Sequence, residues 1–358
     1  MLSTLTRTKL LAAVMAIFVV AAACGGGTSA PTAATGASAS AAQGELPKPE
    51  LTKVRIGISA PTEPVQFAAK LADQMGFYQK LGMTAEITGF EGDGKALQAL
   101  VAGQLDFFVG GASVSITSVT TDTPVKVVSM NSVINTDGLY CQKDIKTPND
   151  VKGKSVAIST FGGTSHGSAI LTLQGIGLTP KDATITQVGN EGSRIAALKG
   201  GSAACAVIGI QQDAQMKSFG LNLLIDLTKA KPQQQWGRSG LLARTDFIAK
   251  NPNTVLNVVA AGLLAQNLFW TDQATVTAKF AEWTQLKLDD AKVLVSAFPD
   301  YGDRGMMFDE QAFKAPKEVL ASVNPALAGV DVTKAYDLSF LNKLKAIGFY
   351  TKNNIPLQ

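Results

Sequence analysis

Two short segments carry the residue types from which a reactive centre could be built. Gly163, Ser165 and Gly167 fit the G-x-S-x-G pattern, in which a strand-to-helix turn presents a serine nucleophile. That chemistry needs a histidine base later in the chain, and the only histidine is His166, the next residue. A serine hydrolase of this type therefore has no base. Gly89 to Lys95 fits the phosphate loop G-x-x-x-x-G-K, but Ala96 stands where Ser or Thr would hold magnesium. The segment reads instead as a strand-to-helix loop facing a cleft. One histidine and three cysteines form no ligand cluster, so the sequence calls for no metal and no cofactor.

The same serine-rich segments suit binding. Phe161, Thr164, Ser165 and His166 open a helix whose free N–H groups and hydroxyls would face a cleft, and a helix N-terminus stabilises an anion. Gly111 and Ser113 form a second such opening at the end of another strand. Simple helix capping would leave the same trace at any one position. Two loops facing each other favour binding, because open α/β sheets take ligands at the carboxyl ends of their strands. By that rule Ser59, Thr62 and Glu63 after the first strand, Phe90 after the second and Asn131 after the fourth are further candidates. So are Gln211, with Gln212 beside it, and Trp236 at a return crossover. Phe90 and Phe161 could stack on a planar ligand or serve as core residues. Glu63 would repel a sulfonate unless it points away or meets an amine.

The elements that position these residues repeat. At an offset of 98, Ala99, Leu100, Gly103, Val109 and Gly111 fall on Ala197, Leu198, Gly201, Val207 and Gly209. A helix–Gly–strand unit repeated at this distance predicts two similar α/β lobes enclosing a cleft. Strands alternate with helices as far as Leu223–Asp226, which predicts mostly parallel sheets. From Asn251 onward the pattern is helical, beginning with a long apolar helix through Val255, Val258, Val259, Leu263, Leu264 and Phe269. The chain is 46% hydrophobic and 17% charged, with a formal charge of +4. Without Arg7 and Lys9 the balance is 30 − 28 = +2, and no basic run exists, which sets nucleic acid aside.

Arg7 and Lys9 precede an uncharged apolar stretch of 14 residues, Leu10 to Ala23, short of the roughly 20 needed to span a bilayer. Residues 1–23 read as a secretion signal. Its end, Ala21 to Cys24, resembles a lipobox, with Ala21 where Leu is usual, so Cys24 is the expected lipidation site. Residues 24–50 follow as lipidated cysteine and flexible linker, built to Gly44 from Gly, Ala, Ser, Thr, Pro and Gln. Cys141 and Cys205 remain, in an exported chain where disulfides persist. Pairing and two buried free thiols both stay open.

Gly76-Phe77-Tyr78 with Leu81-Gly82, Ala96 to Asp106, Asp150 to Lys154, Gly177 to Asp182 and the tail Leu341 to Phe349 resemble the substrate-binding proteins of ABC importers. The branch is that of nitrate, sulfonates, taurine and thiamine-pyrimidine precursors. Ala204 departs from the family, which often has Asp there. The resemblance implies a two-lobed type II periplasmic binding protein fold, α/β, with flanking helices and two hinge crossovers. Lobe 1 would be 51–134 plus 241–358, and lobe 2 would be 135–240. It implies a monomer that binds a small polar, anionic ligand and partners an ABC permease and ATPase outside the cytoplasm. A thiamine-pyrimidine-synthase-like enzyme and a sensor for a membrane receptor are the alternatives.

Overall fold

A computed structural model describes residues 44–231 and 235–357. The expected signal, Cys24 and most of the linker lie outside the described residues. The described residues build ten strands in two five-stranded sheets. The first contains β1 (Lys53–Ile58), β2 (Thr84–Gly89), β3 (Phe107–Gly110), β4 (Val125–Ser132) and β10 (Ser239–Arg244). The second contains β5 (Asp137–Cys141), β6 (Ser155–Ile158), β7 (Thr184–Gln187), β8 (Cys205–Gly209) and β9 (Asn222–Asp226).

The two sheets share one order, β2-β1-β3-β10-β4 and β7-β6-β8-β5-β9. Within each, three neighbouring strands pair in parallel, β2, β1 and β3 in one, β7, β6 and β8 in the other. The expectation of mostly parallel sheets holds for four strands of five, because β4 and β9 also run with these, and the exception is the fourth place. There β10 and β5 are antiparallel to both neighbours. The reason is connectivity. Each is the strand by which the chain enters from the other lobe, so it starts at the seam where the parallel strands end. The chain crosses between Ser132 and Asp137 and returns between Asp226 and Ser239. The two crossings are tied together, Trp236 N donating to Val133 O at 2.8 Å and Arg238 N to Ser132 O at 3.0 Å.

Helices flank both sheets, and the first sheet gains the C-terminal ones. Helix Pro252–Thr271 has the length and hydropathy of a membrane span, yet 67% of its apolar window is buried in the molecule. It is a core helix, with Val255, Val258, Val259, Leu263 and Phe269 in the first lobe's core. The expected linker ends before Glu50. The Glu50 carboxylate accepts from Asn253 N and Thr254 N at 3.0 and 2.6 Å, capping that helix, and Pro47 O accepts from Asn257 Nδ2 at 2.8 Å.

Local chemistry explains several sequence motifs. Thr147 with Asp150, and Thr179 with Asp182, form capping boxes with proline in the first turn. Gly76 and Gly348 take φ of 70° and 73° before the short helices of two Gly-Phe-Tyr segments, a left-handed conformation that favours glycine. Cys141 and Cys205 face each other across β5 and β8 and are joined by a disulfide. At the departure noted for Ala204, lobe 1 uses Asp106 to accept from Arg55 N at 2.9 Å and Arg55 Nη2 at 2.7 Å. Lobe 2 makes the equivalent join with Ser155 Oγ, which accepts from Ala204 N at 2.9 Å.

Candidate functional site

The ends of the parallel strands and the starts of β5 and β10 converge on one buried polar cavity between the lobes. Lobe 1 contributes Ser59, Glu63 and Gln66 from beyond β1, and Asp93 from the first turn of helix Asp93–Val101 after β2. Lobe 2 contributes Ser159, Thr164 and Ser165 from beyond β6, and Asn190, Glu191 and Arg194 from beyond β7. The crossing strands contribute Asp137, the first residue of β5, and Arg238, the residue before β10. The enclosed volume is ≈ 20 Å³, room for about one water.

Arg238 Nη2 lies 2.7 Å from Glu63 Oε2 and 3.2 Å from Asp137 Oδ1, with all three side chains buried. The second distance is an ion pair without hydrogen-bond alignment, since Asp137 Oδ1 has no hydrogen-bond partner. Glu191 accepts from Gly209 N at 2.7 Å, and Arg194 donates to Val207 O and Gly189 O at 2.8 and 2.9 Å. Burial pushes the Glu63 carboxyl up, to about 8, against the opposing pull of Arg238. Burial likewise raises Glu191, with Arg194 and the Gly209 N–H opposing. Burial works against the charge on Arg238, but Asp137, Glu63 and Glu191 hold its guanidinium charged, above its usual range.

Hydrogen bonds involving side chains cross the seam besides the Arg238 pairs. Asp93 Oδ2 accepts from Thr164 N at 3.3 Å, and Ser193 Oγ donates to Glu91 Oε2 at 2.9 Å. The first answers the expectation that helix Thr164–Gly175 offers its N-terminus to a ligand anion. A carboxylate of the protein already sits there. The other expected opening is also engaged, because Ala112 N donates to Gly237 O at 2.9 Å.

Of the residues singled out in the sequence, Ser59, Glu63, Thr164 and Ser165 line this cavity. Ser165 Oγ accepts from Ser159 N at 2.8 Å, and Thr164 Oγ1 is buried without a partner. Gly111 stands behind Thr164, where a Cβ would lie 1.8 Å from Thr164 Oγ1. Ser113 is fully buried nearby, outside the lining. Trp236 is 1% exposed, packs on Gly167 and stands outside the lining. Asn131 lies in lobe 1, its Nδ2 donating to Gln266 Oε1 at 2.9 Å. Phe90 covers Gly57 and borders a surface groove with Trp283.

The remainder line two open grooves that straddle the seam on either side. Thr62 and Gln211 border one of ≈ 550 Å³, walled by Phe219 and Val293. Phe161 and His166 border the other, of ≈ 590 Å³, with Leu320 and Val323. His166 Nδ1 accepts from Gly162 N at 3.1 Å, its ring meets Phe161 edge-on, and burial lowers its pKa.

Sequence reasoning missed Gln66, Asp93, Asp137, Ser159, Asn190, Glu191, Arg194 and Arg238. The repeat carried a signal for two of them, since an offset of 98 places Asp93 on Glu191. Both are first-turn acids of matched helices. Asp137 and Arg238 escaped because the carboxyl-end rule does not point to the amino ends of antiparallel strands.

Comparison with known proteins agrees with this architecture. The chain is 24% identical over 262 residues to the taurine-binding periplasmic protein of Escherichia coli (strain K12), covering 69% of this chain and 77% of that protein. The alkanesulfonate-binding protein SsuA from Xanthomonas axonopodis pv. citri superposes with a TM-score of 0.64 at 18% identity, over 81% of this chain and 99% of that one. The periplasmic nitrate-binding protein NrtA from Synechocystis PCC 6803 gives 0.67 at 16% identity, over 87% and 92%. The family model described as NMT1/THI5 like matches residues 66–302, more than half of the chain, and the chain belongs to that family.

Proposed function

We propose that the chain is the extracytoplasmic solute-binding component of an ABC importer, held at the membrane by lipid on Cys24. It captures a small polar solute between its lobes by hinge closure about the two crossings and delivers it to a permease and its ATPase. The observation that carries this reading is the cavity itself, whose polar lining comes from both lobes and from the crossing strands. A solute touching both walls stabilises the closed arrangement over the open one, and that difference in contacts is all such a receptor needs. Relatives that bind taurine, alkanesulfonate and nitrate support it.

The family description also takes in THI5, so an enzyme on this scaffold is the second reading. Against it, Cys141 and Cys205 are paired, and His166 has its Nδ1 turned to a backbone N–H. The deciding experiment is a thermal-shift screen of the full chain in mild detergent with sulfonates, nitrate, carboxylates, amines and pyrimidines. At a hundred times its Kd, a solute stabilises by about 2.7 kcal/mol, a rise of a few degrees. Failure of every solute to shift the transition, with turnover of any of them, would replace the receptor reading by the enzyme one.

A further inference from the structure

One turn of lobe 2 is gripped from two sides by lobe 1. The turn is Ser159 to Thr164, leading from β6 into helix Thr164–Gly175. On one side stands the passage from β2 into helix Asp93–Val101, the G-x-x-x-x-G-K segment of the sequence. On the other stands Gly111, between β3 and helix Ala112–Ser118. At both places the approach is closer than a side chain allows. A Cβ on Gly94 would lie 2.6 Å from Thr160 Oγ1 and 3.3 Å from Thr160 Cβ. A Cβ on Gly111 would overlap Thr164 Oγ1 and stand 3.1 Å from Thr164 Cβ. Carbon atoms in contact prefer about 3.5–4.0 Å, so turning the threonine hydroxyls aside does not by itself make room for either methyl.

Neither glycine is required by the backbone of lobe 1. Gly111 has φ −88° and ψ 161°, extended backbone that any residue adopts. Gly94 lies in the first turn of its helix, and alanine is the better helix former. The three atoms nearest a Cβ on Gly94 all belong to Thr160 of lobe 2. The demand for a hydrogen in place of a side chain therefore comes from across the seam. Asp93 and Thr164, one beside Gly94 and the other against Gly111, both line the polar cavity. The depth of this approach thus sets the space between the two walls.

Resting on the solute-receptor reading, we infer that Gly94 and Gly111 set how far the lobes close. Their missing side chains let the Ser159 to Thr164 turn seat fully between the two lobe 1 segments, and a methyl at either position holds the lobes ajar.

The test is crosslinking across the seam in the full chain. Glu91→Cys and Ser193→Cys replace two residues that meet there, Ser193 Oγ donating to Glu91 Oε2 at 2.9 Å. A short bismaleimide then joins the two positions in closed molecules, and mass spectrometry of the joined peptide gives the rate. In that background Gly94→Ala and Gly111→Ala should each slow the crosslink roughly fivefold or more, the effect of an overpacked contact costing a kcal/mol or two. Adding Thr160→Gly to the first and Thr164→Gly to the second should restore most of the rate. Gly329→Ala, where a Cβ meets open space, should leave it unchanged. An unchanged rate in either glycine variant overturns the inference. So does a slowing that the paired threonine substitution fails to relieve, and so does the absence of any crosslink in the parent background. None of these outcomes decides the receptor reading, which stands or falls by the solute screen.

Discussion

Arg238 serves both lobes through one nitrogen, with Glu63 of lobe 1 and Asp137 of the crossing strand within 3.2 Å. Pulling three such groups from water is costly, and the pairing offsets that cost only in part. The strain of charge falls on Glu63, which burial raises from 4.5 to about 8. A carboxyl raised on folding keeps a proton that the unfolded chain releases, so its favourable contribution is complete below pH 4.5. It is lost as pH rises toward about 8. Stability of the solute-free chain should therefore fall across that window. Glu63→Gln, which cannot ionise, should flatten the fall in denaturant titrations at pH 5, 6, 7 and 8; an equally steep decline would show that Glu63 is not the titrating group. Glu63 was legible in the sequence as an acid after the first strand, and even as a conflict with an anionic ligand. Its partner Arg238 was not, although Trp236 two residues earlier was singled out at the return crossover.

The elements were more legible than the residues they carry. Strand–helix alternation and the offset of 98 located the parallel core of both sheets, because hydrophobic runs and glycine punctuation are local signals. Antiparallel β5 and β10 were hidden, since pairing direction depends on where the chain comes from. The Cys141–Cys205 pairing was open for the same reason, as only the β5–β8 register brings the two opposite each other. That disulfide closes a separation of 64 residues at the ends of β5 and β8 remote from the seam. Replacing both cysteines by alanine should cost about 2–4 kcal/mol in denaturant unfolding. Solute affinity should be unchanged. No loss of stability, or a loss of affinity at full stability, would contradict this placement.

At the scale of the whole molecule, a small buried polar centre lies between two wide grooves along one seam. The sequence motifs spread over all three, so several expected ligand contacts, Phe161, His166 and Gln211 among them, border the grooves while the acids hold the centre. The central claim is that a solute is clasped by both lobes at once. Hydrogen–deuterium exchange on the full chain, with and without the probe giving the largest thermal shift, tests it most directly. The account predicts slowed exchange in four segments together, 59–66 and 90–94 of lobe 1 and 159–166 and 189–194 of lobe 2. Protection confined to one lobe, or falling only along a groove, would contradict it.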